Sequence, residues 1–344
     1  NQGYKVINEV SSVVLPLGDY KLFTMEQLPA LDAEVMQEKH LISTKLLENK
    51  ECGAVILSED ETVSIMVNEE DHIRAQCFLK GLSLDKAYQI LSAIDDKLIE
   101  KLDVAYDVTY GFLNSCITNI GTGMRASVMM FLPALTISNK IQDVISMLKS
   151  QGLTVRGVFG EGSEALSYIY QISNARSLGV SEKEIIQKVT ECAIKVANME
   201  LSERDVLLHN NQLELKDRVF RAYGILTNAF LLSAGEFMKY IGEVKMGICL
   251  GFMKFSDNAL IDRLLFDALP SSLTKIAGQE ALSSTVLLFF ENCKTLSQAK
   301  VSKPRATPLM KVSKPQSMQV LISVFSFCLN SLHMSQSSLY LQGK

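Results

Sequence analysis

Several things are missing from the sequence, and each absence excludes something. No stretch of 18 apolar residues occurs in the 344-residue chain, which argues against a helix crossing a membrane. No charged n-region followed by an apolar h-region opens it, so no secretory leader is expected. An excess of basic charge is also lacking: 34 Lys and Arg against 38 Asp and Glu leave −4, so the chain as a whole is not expected to bind nucleic acid. The seven cysteines (52, 77, 116, 192, 249, 293, 328) are odd in number and contain no CxxC. That argues against a disulfide framework or a zinc site and favours a reducing, cytoplasmic location. Gly121-Thr122-Gly123 is followed by no Gly-Lys-Ser/Thr, so it is neither a Walker loop nor a dinucleotide fingerprint. Gly160-Glu161-Gly162-Ser163 does not make a Gly-x-Ser-x-Gly elbow, so a serine hydrolase gains no support. Residue 1 is Asn rather than Met, from which a fragment or trimmed product is expected.

What is present is globular: 47% hydrophobic and 21% charged residues, with length for about two domains. The apolar run at 54–57, a polar turn at 58–61 and the alternation of Val63, Ile65 and Val67 predict a β-hairpin with a half-buried second strand. Leu84, Ala87, Leu91, Ile94, Leu98 and Leu102 recur at helical spacing, and 139–151 reads as a helix stopped at Gly152. Residues 110–122 read as a loop, 126–132 as an apolar run and 153–159 as a strand. Capping-box patterns at Ser181-x-x-Glu184 and Ser233-x-x-Glu236 begin long helical stretches. Mixed α and β character thus gives way to nearly all α near residue 180. The tail from 271 carries eight basic and two acidic residues, 14 serines, and Lys-Val-Ser-Lys-Pro twice, at 300–304 and 311–315. It reads as a poorly ordered basic tail, with a basic interaction arm as the alternative; its apolar stretch 320–329 is too short to span a bilayer.

Three arginines stand beside acids or glycines near predicted strand ends: Arg74, Arg125 and Arg156. Singly, each is ordinarily a surface charge. Together they offer planar, permanently charged forks suited to phosphate oxygens without a Walker lysine. Glu70 and Glu161 lie on different loops and, with a cysteine, could clamp a cationic acceptor. The plain alternatives are a loop histidine at His40, a hydrogen-bonded or solvated role for His72, a small buried residue at Cys116, and core packing for Met124, Met129 and Met130.

These blocks carry a family resemblance. Glu38-Lys39-His40-Leu41-Ile42-Ser43, Asn68–Arg74, Ser115–Met129, Arg156–Ala165, Gln171-Ile172-Ser173-Asn174, Leu178-Gly179-x-Ser181-Glu182 and Asp217-Arg218-Val219-Phe220-Arg221-x-Tyr223-Gly224 follow in the order found in phosphagen kinases, the guanido phosphotransferases. Over residues 3–265 the chain most resembles their bacterial protein arginine kinase branch. The resemblance implies an α+β fold, an antiparallel sheet flanked by helices and followed by a helical domain. The boundaries expected are 1–203 catalytic, 204–268 helical and 269–344 tail.

It further implies ATP as phosphoryl donor with Mg2+, bound by Arg74, Arg125 and Arg156, by His40 near the adenine, and by the segments Arg125-Ala126-Ser127-Val128-Met129 and Arg156-Gly157-Val158-Phe159-Gly160-Glu161. Glu70 and Glu161 would hold the acceptor guanidinium, with Cys116 beside it. Implied partners are arginine-bearing protein substrates, an acidic activator protein and a Clp protease, in a cytosolic stress response; a homodimer is a further expectation. The family's Ser-Ser-Arg-x-Arg segment is not found in residues 1–30, Ile117 replaces a proline, and Arg-Asp-x-x-Arg-Ala is absent from 260–344. Two other readings stay open: a kinase of a free guanidino metabolite, and a non-catalytic adaptor keeping the helical domain.

Overall fold

The computed structural model describes residues 2–157, 165, 167–229, 231–254, 261–262, 264–265, 268–277 and the backbone of 318–326. In chain order come α1 (Gln2–Val14), β1 (Tyr20–Thr24), α2 (Ala30–Glu38), α3 (Thr44–Glu48), β2 (Ala54–Ser58), β3 (Val63–Val67), β4 (Ile73–Lys80) and α4 (Leu84–Lys101). A two-stranded pair, β5 (Tyr106–Asp107) and β6 (Gly111–Phe112), precedes β7 (Met124–Phe131). Then follow α5 (Pro133–Ile137), α6 (Ile141–Ser150), β8 (Leu153–Gly157), β9 (Ile169–Asn174), α7 (Glu182–Asn210), α8 (Gln212–Asn228), α9 (Ala234–Cys249), α10 (Pro270–Ala277) and β10 (Met318–Ser326). The chain divides into two compact units: 1–128, 173–191 and 319–344 form the first, 129–172 and 192–318 the second.

In the first unit the strands run β1-β2-β3-β4-β10-β7. The β1–β2, β2–β3, β3–β4 and β4–β10 pairings are all antiparallel. The hairpin expected at 54–67 is present as β2 and β3. Its second strand is buried at every residue, not at alternate ones as expected. The reason is that both faces of the sheet are covered. Met66 packs with Met25, Ala33, Leu41, Ile42 and Leu46 on one side, while α1 packs against β2 and β3. The helical spacing read from sequence holds in α4, which buries Leu84, Ala87, Leu91, Ile94 and Leu98. Each of the Leu and Ile burials stabilises by roughly 1.5–3 kcal/mol relative to exposure.

One described stretch of the tail is more regular than expected. Residues 318–326 are a strand, with Gln319 to Ser326 paired in register with Lys80 to Ile73 of β4. An eight-residue edge leaves a row of backbone donors and acceptors to be paired, and an apolar segment without proline can meet that demand. Proline and serine content nearby masked this ability in the sequence.

In the second unit the order is β7-β9-β8, and α6 packs on β8. Its core gathers Phe131, Tyr168, Leu215, Val219, Leu226, Phe237, Ile241 and Met253. The buried Glu200 carboxylate accepts the N–H groups of Ala134 and Leu135, both at 3.0 Å, so it caps the start of α5. Arg204 Nε donates to the same carboxylate at 2.7 Å. The capping box of Ser233 and Glu236 is present at α9, as its spacing predicts. In the first unit, Ser181 and Glu184 exchange the matching bonds at the start of α7.

Candidate active site

The acidic run occupies the turn between β3 and β4. Asn68 adopts φ 57°, a left-handed conformation that asparagine tolerates better than most residues. Its N–H donates to His72 O at 2.9 Å and closes the turn. Its side-chain amide donates to Gly3 O at 3.0 Å and Cys52 O at 2.8 Å, which pins the turn to the chain's first helix and to the approach to β2.

Glu69 points inward and is 1% exposed. Its Oε1 accepts from Arg74 Nη1 at 3.0 Å and from the Ser43 hydroxyl, and its Oε2 accepts the Glu70 N–H at 2.8 Å. One buried carboxylate therefore aims Arg74, a residue singled out for phosphate. Sequence reasoning missed Glu69, although an acid and an arginine on either limb of a five-residue turn can reach one another.

Glu70 faces the other way. Its Oε1 lies 2.8 Å from Lys45 Nζ. The bond from Lys45, and then that from the Cys116 thiol, hold its carboxyl below the ordinary carboxylate range. Asp71 is 2% exposed and accepts the Ser115 N–H at 2.7 Å and the Asn119 side-chain amide at 2.8 Å. The Cys116 N–H donates to it as well. Burial raises the Asp71 pKa, and these three bonds oppose the rise. Asp71, adjacent to Glu70, thus clamps the loop carrying Cys116, so two distant sequence blocks meet. Neither Lys45 nor Asp71 was singled out by motif reasoning.

The Cys116 loop is braced from behind. Ser177 Oγ donates to Thr118 O at 3.2 Å and Ile120 O at 2.8 Å. Gly121 has φ 106°, and a Cβ there would meet Ser177 O at 2.6 Å, so the close approach needs glycine. Cys116 Sγ lies 3.0 Å from Thr118 Oγ1, while Ile117 is 83% exposed.

Arg125 is the second residue of β7, and its Nη2 donates to Ser173 Oγ at 3.0 Å. Asn174 next to it accepts the Ala126 N–H at 2.8 Å and donates to Met124 O at 3.0 Å. The Gln171–Asn174 block is therefore a brace for this segment. Ala126, Ser127 and Val128 are buried, and Met129 partly so. His40 has φ 60°, and its carbonyl accepts from Gln76 Nε2 at 2.7 Å. Loss of water around its ring lowers its pKa.

Arg74, Glu70 and Cys116 are thus close neighbours in the first unit, which also holds Arg125 and His40. Arg156 is exposed on β8 of the second unit, and Gly157 ends that strand. Val158, Phe159, Gly160 and Glu161 lie outside the described residues. Among the described residues no group of three or more His, Cys, Asp or Glu could hold a metal ion. No described helix is long and apolar enough to cross a membrane.

Residues 4–203 match the ATP:guanido phosphotransferase C-terminal catalytic domain, and residues 212–286 match the protein-arginine kinase McsB C-terminal domain. A protein-arginine kinase of Caldanaerobacter subterraneus subsp. tengcongensis is 43% identical over 284 residues, 81% of this chain and 84% of that protein. One from Shouchella clausii is 43% identical over 261 residues, 76% of this chain and 73% of its own length. Among solved structures, a lombricine kinase matches with TM-score 0.50 and 25% identity, over 58% of this chain and 59% of that one. The duplicated taurocyamine kinase of Schistosoma mansoni matches in fold with TM-score 0.53 at 20% identity, over 64% of this chain and 33% of that one.

The chain belongs to the ATP:guanido phosphotransferase family, on its protein-arginine kinase branch. It is a phosphotransferase with a guanidino acceptor.

Proposed function

We propose that this chain transfers the γ-phosphoryl group of ATP to arginine side chains of proteins. Glu70 and Cys116 hold the acceptor guanidinium, with Glu161 as a second carboxylate. Arg74, Arg125 and Arg156 hold the nucleotide phosphates, with His40 and the segments 125–129 and 156–161 completing the ATP contacts. The observation that carries this reading is the juxtaposition of Glu70 and Cys116 on two loops tied together by Asp71.

A guanidinium has a pKa above about 12 and is a poor nucleophile while protonated. Glu70, held ionised by its neighbours, can orient that fork by paired hydrogen bonds and accept a proton from the attacking nitrogen. As the N–P bond forms, the bond from the γ-phosphorus to the bridging oxygen breaks and ADP leaves. The rest is alignment and neutralisation of charge on the phosphoryl oxygens, which arginine forks provide. Magnesium bound to the phosphates would add to that neutralisation.

Kinship supports a wider setting: phosphoarginine marking proteins for a Clp protease in a cytoplasmic stress response, with an activator protein and a homodimeric enzyme. The test uses γ-labelled ATP with an arginine-rich protein and, in parallel, free arginine. Acid-labile label on the protein is expected. Label on free arginine alone would assign a metabolite acceptor, and label on neither would overturn the kinase reading.

A further inference from the structure

We propose that Lys45 is a resident occupant of the acceptor seat, a cation that the incoming guanidinium must displace and that thereby sharpens the choice of arginine over lysine. This rests on the reading of Glu70 and Cys116 given above.

The ammonium of Lys45 lies 2.8 Å from Glu70 Oε1, on the carboxylate assigned to the acceptor. Its bond to Glu70 raises its pKa, and the nearby charges of Glu69 and Cys116 add to the rise, so it faces the whole anionic group. Its position is built in. Ser43 caps α3, accepting the Leu46 N–H at 3.1 Å, and the same hydroxyl donates to Glu69. Lys45, the second residue of α3, is therefore anchored to the acidic turn it neutralises.

The seat is also easily vacated. The Lys45 side chain is 57% exposed against 29% for Glu70. An exposed pair of this kind is weak, and a four-carbon stem can swing into water. A guanidinium offers a planar fork with two parallel N–H groups for one carboxylate, whereas an ammonium offers a point charge. An acceptor arginine therefore gains a contact that Lys45 does not make. An acceptor lysine would only exchange one ammonium for another.

The test compares Lys45→Met and Lys45→Arg with the parental chain at low salt. An arginine peptide serves as acceptor, and the same peptide with lysine in its place serves as inhibitor. In Lys45→Met, the KM for the arginine peptide should fall about two- to fivefold, as expected for losing an exposed competing pair. The KM for ATP should hold, and the lysine peptide should inhibit more strongly. In Lys45→Arg, the acceptor KM should rise, because a resident fork competes better. An acceptor KM in Lys45→Met that is unchanged or higher overturns the proposal. A second readout needs no turnover: binding of the arginine peptide, followed by calorimetry, should tighten about two- to fivefold in Lys45→Met. Unchanged or weaker binding also overturns it. If the parental chain labels no acceptor and Lys45→Met still binds the peptide more tightly than the parent, the kinase reading fails while Lys45 stays the resident cation.

Discussion

Arg74 Nη1 and Glu69 Oε1 stand 3.0 Å apart across the β3–β4 turn, and the glutamate side chain is 1% exposed. A guanidinium held this way presents its remaining donors in a fixed direction. Glu69→Ala should release it and leave Ser43 without its acceptor. The expected result is a rise in the dissociation constant for ATP of about tenfold or more, with about 1–3 kcal/mol of lost stability, read by calorimetry and thermal unfolding. A variant that binds ATP like the parent would show that Arg74 needs no such aiming.

Asp71 makes a separate prediction about the Cys116 loop. Asp71→Asn is nearly isosteric but turns a donor toward groups that are themselves donors, the Ser115 N–H or the Asn119 amide. It should cost about 1–3 kcal/mol and loosen the loop. Faster proteolysis between residues 114 and 121, with ATP affinity held, is the result that checks it.

Gly121 is the hinge of the same loop. Gly121→Ala places a Cβ 2.6 Å from Ser177 O at φ 106°, so the chain must strain or shift. A loss of about 1–3 kcal/mol is expected in chemical denaturation. A neutral substitution would mean that the approach to Ser177 relaxes freely.

The stability of the first unit should also carry a signature of Asp95. Burial and the negative charges of Asp96 and Glu182 push its pKa from 3.8 up to about 7. The fold thus favours the neutral form. Its contribution is complete below about pH 4 and is lost as pH rises through about 7. Asp95→Asn should therefore stabilise the chain at pH 8 by about 1–2 kcal/mol after allowing for its partial exposure, and change its stability little at pH 4, both read by thermal unfolding.

The sequence made the periodic parts of this fold legible. The 3–4 spacing from Leu84 to Leu98 is a direct consequence of burial on one face, and the apolar run at 54–57 with the polar turn after it marks the hairpin. The capping boxes at Ser181 and Ser233 report local hydrogen bonds and needed no tertiary context. What stayed hidden was long-range. Complete burial of β3 depends on the 41–46 segment folding over Met66, and β10 depends on an edge of β4 almost 240 positions earlier in the chain. Motif likeness brought out Glu70, Arg74 and Cys116, whereas the residues that hold them are Glu69, Asp71 and Ser43. Those three are common residue types at unremarkable spacing, and only the turn at Asn68 makes them partners.

The central claim is that Glu70 receives an arginine side chain for phosphorylation. Its most direct measurement is the rate at which parental and Glu70→Gln chains place acid-labile phosphate on an arginine-rich protein, alongside ATP affinity for both. The account predicts a fall of about 100-fold or more with ATP binding retained, as for loss of one well-aimed electrostatic contact. Phosphorylation by Glu70→Gln at near-parental rate would contradict it.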